Sequence, residues 1–116
     1  MANTLVTDLD WQPLSVIAGL LQLAADQLWD AADTSGIDSP LHYLALGSFF
    51  AASQAAAMLP VDHQALDYHA GGIRDPLQVL TVAKRLTLQL DPEMAGAGDL
   101  TVAVADLVRG ARHSVA

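Results

Sequence analysis

Residues 11–34 read WQPLSVIAGLLQLAADQLWDAADT, and their polar and small positions recur with the period of an α-helix. A spacing of three or four residues places these positions in one line along a helix; they are Ser15, Gly19, Gln22, Asp26, Asp30 and Asp33. The rest of the run is largely Leu, Ile, Val and Ala. This apolar arc is much wider than the ~100° that a surface helix usually presents. The sequence therefore predicts a helix that is covered on more than one side.

Further helix starts are marked by a capping residue just before a proline, in Asp38-Ser39-Pro40, Asp75-Pro76 and Asp91-Pro92. An Asp or Ser side chain accepts hydrogen bonds from backbone N–H groups that the first helical turn leaves unpaired. Proline suits the first helical position because its missing N–H would have no partner there. Asp10 and Asp99 are the expected caps of the first and last helices. Helix stops are predicted at Ser35-Gly36, Pro60, Gly71-Gly72 and Gly110.

Together these signals predict one all-α, four-helix bundle-like domain that spans residues 1–116, with Thr4–Thr7 as part of an extended N-terminal arm over residues 1–10. The Gly96-Ala97-Gly98 segment is expected to be a flexible linker. Residues 60–75 form either a short extra helix, capped by Asp62 and ending at Gly71, or a functional loop. The predicted main helices are Trp11–Thr34, Pro40–Leu59, Pro76–Leu90 and Leu100–His113.

The net charge of −8 lies entirely in the first 73 residues, which contain eight aspartates and no Lys or Arg. Such a field repels phosphate backbones, so we expect no binding to nucleic acid, and it attracts basic partners or cations. The second predicted helix is long, but its flanks carry no Lys or Arg anchor, so no membrane span is expected. The chain has no cysteine and no secretory signal, which favours a cytoplasmic location.

The best cluster of candidate ligands is His63, Asp67 and His69, because imidazole and carboxylate groups bind divalent metals or transfer protons. If this segment is helical, His63 and Asp67 share a face while His69 points elsewhere. The spacing matches no known metal-ligand set, and the chain carries no nucleophile elbow or phosphate-binding loop. We therefore expect no cofactor, and the sequence favours a non-enzymatic protein.

The surplus of apolar residues on the first helix predicts a homo-oligomer, in the simplest case a two-fold dimer. The residues expected at that interface are Leu14, Ile17, Leu21, Leu28 and Trp29. A competing partner is a protein with a basic surface, attracted by the acidic stripe of Asp26, Asp30 and Asp33. The predicted function is a non-enzymatic helical interaction or assembly module that associates with itself. The alternative is a small-ligand or metal-binding protein, with or without enzymatic activity, that uses the polar segment 62–74.

Overall fold

The computed structural model describes residues 2–36, 39–60 and 75–115, with side chains from residue 11 to residue 113 within those ranges. These residues form four helices and no strand: α1 (Ala2–Ser35), α2 (Leu41–Met58), α3 (Pro76–Thr87) and α4 (Ala97–Val115). The prediction of an all-α, bundle-like fold is confirmed. The 34 residues of α1 make a helix about 51 Å long, which accounts for the longest dimension of the molecule, 53 Å.

The four helices pack as a ring in which α1 and α4 each contact both α2 and α3. Within the described residues, the backbones of the diagonal pairs α1–α4 and α2–α3 do not approach each other closely. The α1–α2 pair is antiparallel, because Asp33 lies beside His42 while Gln22 lies beside Phe49. The consecutive helices α1 and α2 are therefore neighbours, as are α3 and α4, whereas α2 and α3 lie diagonally across the bundle.

The core is built on the apolar arc of α1, where Leu14, Ile17, Leu21 and Leu28 are all fully buried within the single chain. α2 and α3 both pack against this helix, so it is covered on more than one side. Burying a leucine contributes roughly 1.5–3 kcal/mol, which makes this column a major source of stability. The other large side chains that are completely buried come from α3 and α4: Val79, Leu80, Leu100, Val104 and Val108.

Two predicted caps start helices as expected. The Asp75 carboxylate accepts a hydrogen bond from the backbone N–H of Leu77, with 3.1 Å between the atoms. The Ser39 hydroxyl oxygen accepts one from the N–H of Leu41 at 3.2 Å. In both cases a proline follows the capping residue, so no further N–H is left unpaired at that position. These short signals therefore position the starts of α2 and α3 correctly.

The start of the first helix was predicted wrongly. The backbone is helical from Ala2, so residues 2–10 form no extended arm at Thr4–Thr7, and Asp10 lies inside α1 instead of capping it. No Gly or Pro precedes Pro13 to end the helix, and a cap preference of ~1 kcal/mol does not stop it from continuing. Pro13 itself lies inside α1, where it removes one backbone hydrogen bond.

The link between α3 and α4 also differs from the prediction. α3 ends at Thr87, three residues early, and α4 begins at Ala97, so Gly98 is helical and does not belong to a flexible linker. Of the two glycines in this predicted linker, Gly96 has a positive φ, +87°, which glycine tolerates best, and Gly98 does not. Asp99 lies in the first turn of α4, where its negative charge suits the helix dipole.

The inner face of α2 consists of small residues: Ala45, Ser48, Ala51, Ala52 and Ala55 are buried. Two glycines allow α2 and α4 to approach closely. A Cβ atom built on Gly47 would lie 2.9 Å from Leu107 Cδ2, and one built on Gly110 would lie 2.9 Å from Leu44 Cδ2. No helix of the described part of the chain is both long enough and apolar enough to cross a membrane.

We predict that Gly47 tolerates a methyl group but nothing larger. Gly47→Ala should stay within about 1 kcal/mol of wild type in the free energy of unfolding, because the gain in helix propensity offsets the displacement of Leu107. Gly47→Leu should cost about 1–3 kcal/mol through overpacking. Urea unfolding measures both values. The matched control is Gly98→Leu in α4, where a Cβ meets no atom within 4 Å. Equal stability of the two leucine variants would contradict the close approach of α2 and α4.

Candidate interaction surface

Large apolar side chains are exposed together on one side of the α1–α2 pair. Tyr43 is 81% exposed and Phe50 61%, while Trp29, Leu46 and Phe49 are each about half exposed. On α2, Leu46 lies three residues after Tyr43, and Phe49 and Phe50 lie three and four residues after Leu46, so the four share one side of that helix. We call these five residues the aromatic face.

The position of the aromatic face follows from the packing of α2. Its buried residues are all small, and at Gly47 its contact with α4 is so close that an added Cβ would lie 2.9 Å from Leu107 Cδ2. Phe49, Phe50 and Tyr43 are therefore confined to the outer side. The rings of Phe49 and Phe50 contact each other edge to face, with centroids 6.3 Å apart, in the geometry that aromatic pairs prefer.

A groove of about 270 Å³ runs between α1 and α2 within the aromatic face. Its walls are mainly apolar, and its polar groups come from α1, where Gln22 Nε2 donates a hydrogen bond to Asp26 Oδ1 at 3.2 Å. The groove can therefore bind an apolar side chain next to the Asp26 carboxylate. It is lined by Gln22, Ala25, Asp26, Trp29, Ala45, Leu46 and Phe49.

The acidic stripe lies along the α1 edge of the aromatic face. Asp26, Asp30 and Asp33 are all exposed. Asp26 shares the groove with Trp29, and Asp33 lies at the opposite end of the stripe, next to His42. The stripe therefore follows the apolar surface for about two helical turns.

His42 joins the start of α2 to the end of α1. Its Nε2 atom lies 3.8 Å from Asp33 Oδ1, and its ring packs edge-on against Trp29, with centroids 5.6 Å apart and an interplanar angle of 87°. The other ring nitrogen, Nδ1, is buried and has no hydrogen-bond partner in the described part of the chain. The imidazole thus supports the Trp29 ring at the margin of the aromatic face.

The residues predicted for a dimer interface need correction. Leu14, Ile17, Leu21 and Leu28 are completely buried within one chain, so a second copy cannot cover them. The sequence pattern shows that the α1 arc must be buried but does not show that α2 and α3 bury it. Of the predicted set, only Trp29 is exposed.

The predicted ligand cluster of His63, Asp67 and His69 lies outside the described residues, as does the rest of the 62–74 segment. Within the described ranges, no group of three or more His, Asp or Glu side chains is arranged to hold a metal ion. The ligand-site hypothesis for this segment therefore stays a prediction.

The Lys and Arg residues of the described part of the chain all lie on α3 and α4 and none on the helices that carry the aromatic face: Lys84, Arg85, Arg109 and Arg112. Arg109 Nη1 is 3.5 Å from Asp106 Oδ1 within α4. Arg85 and Arg112 line a separate groove of about 410 Å³ between α3 and α4. The α1–α2 side of the molecule is thus acidic and apolar, and the α3–α4 side carries the bases.

No known protein family, curated protein or solved structure matches this chain.

Proposed function

We propose that this chain is a non-enzymatic helical interaction module and that the aromatic face is its binding surface. The observation that supports the proposal is the grouping of five large apolar side chains on one exposed side of α1 and α2. Scattered exposed leucines are ordinary on protein surfaces, whereas contiguous apolar patches mark binding sites. Because the chain contains no cysteine, we propose that the interaction takes place in the cytoplasm.

The size of the aromatic face fits a protein partner. An aromatic side chain covers about 150–250 Å², so the exposed parts of these five residues amount to roughly 500 Å² of apolar surface. That value is near the top of the range that monomers leave open. Each ring left in water forgoes part of the ~1.5–3 kcal/mol that burial contributes. A binding role explains why these side chains are exposed although burial would stabilise the fold.

The first test is an apolar dye that carries no charge, such as Nile red. Wild type should enhance its fluorescence, and Phe50→Ser should lose much of the enhancement because the face loses one of its two most exposed rings. The matched control is Leu88→Ser, which removes an apolar side chain that is 73% exposed, against 61% for Phe50, from the α3–α4 turn. Circular dichroism checks the folding of each variant. Equal dye binding by all three proteins would contradict the aromatic face as a binding surface.

The predicted two-fold dimer stays a proposal, and the face available to it is the aromatic face. A standard interface buries about 800 Å² per partner, of which about 65% is apolar in homodimers, close to the area available here. A dimer through this face would appear in light scattering as a molar mass that rises above 12.2 kDa with protein concentration. Phe50→Glu should abolish the rise, and Leu88→Glu should preserve it. A wild-type mass that stays at that of one chain at every concentration would rule out the dimer.

A further inference from the structure

We propose that the aromatic face and the acidic stripe together bind an amphipathic helix of another protein, with Lys or Arg residues along one flank. This inference rests on the proposed function of the aromatic face and names the chemistry of its partner. Helices that bind in this way place their apolar side in a groove and leave their charged residues at the rim.

The charges beside the aromatic face favour this partner over a second copy. Asp26, Asp30 and Asp33 flank the face on α1, and the first 73 residues contain no Lys or Arg to neutralise them. All bases of the described residues lie on α3 and α4. A second copy bound through the same face would bring a second acidic stripe and no lysine or arginine. A basic helix brings the complementary charge, which raises the association rate and disfavours acidic partners.

The dimensions of the site match two turns of a helix. The stripe from Asp26 to Asp33 and the α2 part of the aromatic face from Tyr43 to Phe50 each cover eight residues, or about 10 Å along the helix axis. A partner helix covers that length with apolar residues at positions i, i+3 or i+4, and i+7. One of these side chains occupies the groove beside Trp29.

The basic flank of the partner has two contacts available on α1. The exposed Trp29 ring lies between the ends of the stripe, so the aliphatic part of a Lys or Arg side chain can pack on it while the charged end reaches a carboxylate. A guanidinium or ammonium group near the indole also gains a cation–π attraction. A Lys or Arg side chain bound in this way contacts both the aromatic face and the acidic stripe.

The test uses a fluorescently labelled synthetic peptide of Leu and Lys, with Leu at helical spacing, and a twin in which Glu replaces every Lys. Fluorescence anisotropy measures the dissociation constant. The stripe variant is Asp26→Asn, Asp30→Asn and Asp33→Asn. The control variant, Glu93→Gln, Asp99→Asn and Asp106→Asn, changes the net charge equally at exposed sites away from the face. Circular dichroism confirms that both variants fold.

We expect the Lys peptide to bind wild type and the Glu twin to bind far more weakly. The stripe variant should bind the Lys peptide about tenfold more weakly, since three exposed charge pairs are lost. The control variant should lose much less affinity. Phe50→Ser should weaken binding at both low and high salt, whereas the effect of the stripe variant should shrink as salt screens the charges.

Other outcomes separate this inference from the proposed function. If the stripe and control variants lose equal affinity, or the Glu twin binds equally well, the basic-helix proposal is wrong while the dye test still decides on the aromatic face. If no peptide binds but light scattering shows a dimer that Phe50→Glu disrupts, the occupant is a second copy. If Phe50→Ser changes neither dye nor peptide binding, both proposals are wrong.

Discussion

The close packing of α2 against α1 and α4 determines which side chains of α2 are buried and which are exposed. Four alanines and Ser48 are the buried residues of α2, and Gly47 lets the helix approach Leu107 of α4 closely. The rings of α2 must then point outward, because protein interiors are close-packed and have no room for them elsewhere. The aromatic face is thus a consequence of how the core is built.

The same packing explains why a strongly hydrophobic chain does not need a partner to hide the leucines of α1. Leu21 and Leu28 are fully buried by the other helices of the same chain. What remains for a partner is the outer side of α2, joined to α1 by Trp29 and the His42 contact. Because the acidic stripe follows that side, negative charges border the exposed apolar surface. Both features together, rather than hydrophobicity alone, describe the expected partner.

Local signals in the sequence predict much of the fold. Asp75 and Ser39 start helices as expected, and the spacing of Asp26, Asp30 and Asp33 places them on one exposed line. The aromatic face was missed because α2 is apolar all round, so its sequence has no period that distinguishes the inner from the outer side. The one signal in the sequence of α2 is the column of small residues from Gly47 to Ala55. Such a column indicates a close contact with another helix, so the aromatic rings of α2 are expected on the opposite side. Whether the α1 arc is covered by its own chain depends on contacts between distant residues, which a pattern within one helix does not contain.

Thiol labelling tests the orientation of α2 most directly, because the chain has no cysteine of its own. Ser48→Cys is nearly isosteric and places a thiol at a fully buried position, and Phe50→Cys places one two residues further along on the outer side. At a protein concentration too low for association, the Phe50→Cys variant should react as fast as a free thiol. The Ser48→Cys variant should react only as fast as the fold opens. Equal rates, or faster labelling of Ser48→Cys, would contradict the packing of α2 and with it the aromatic face.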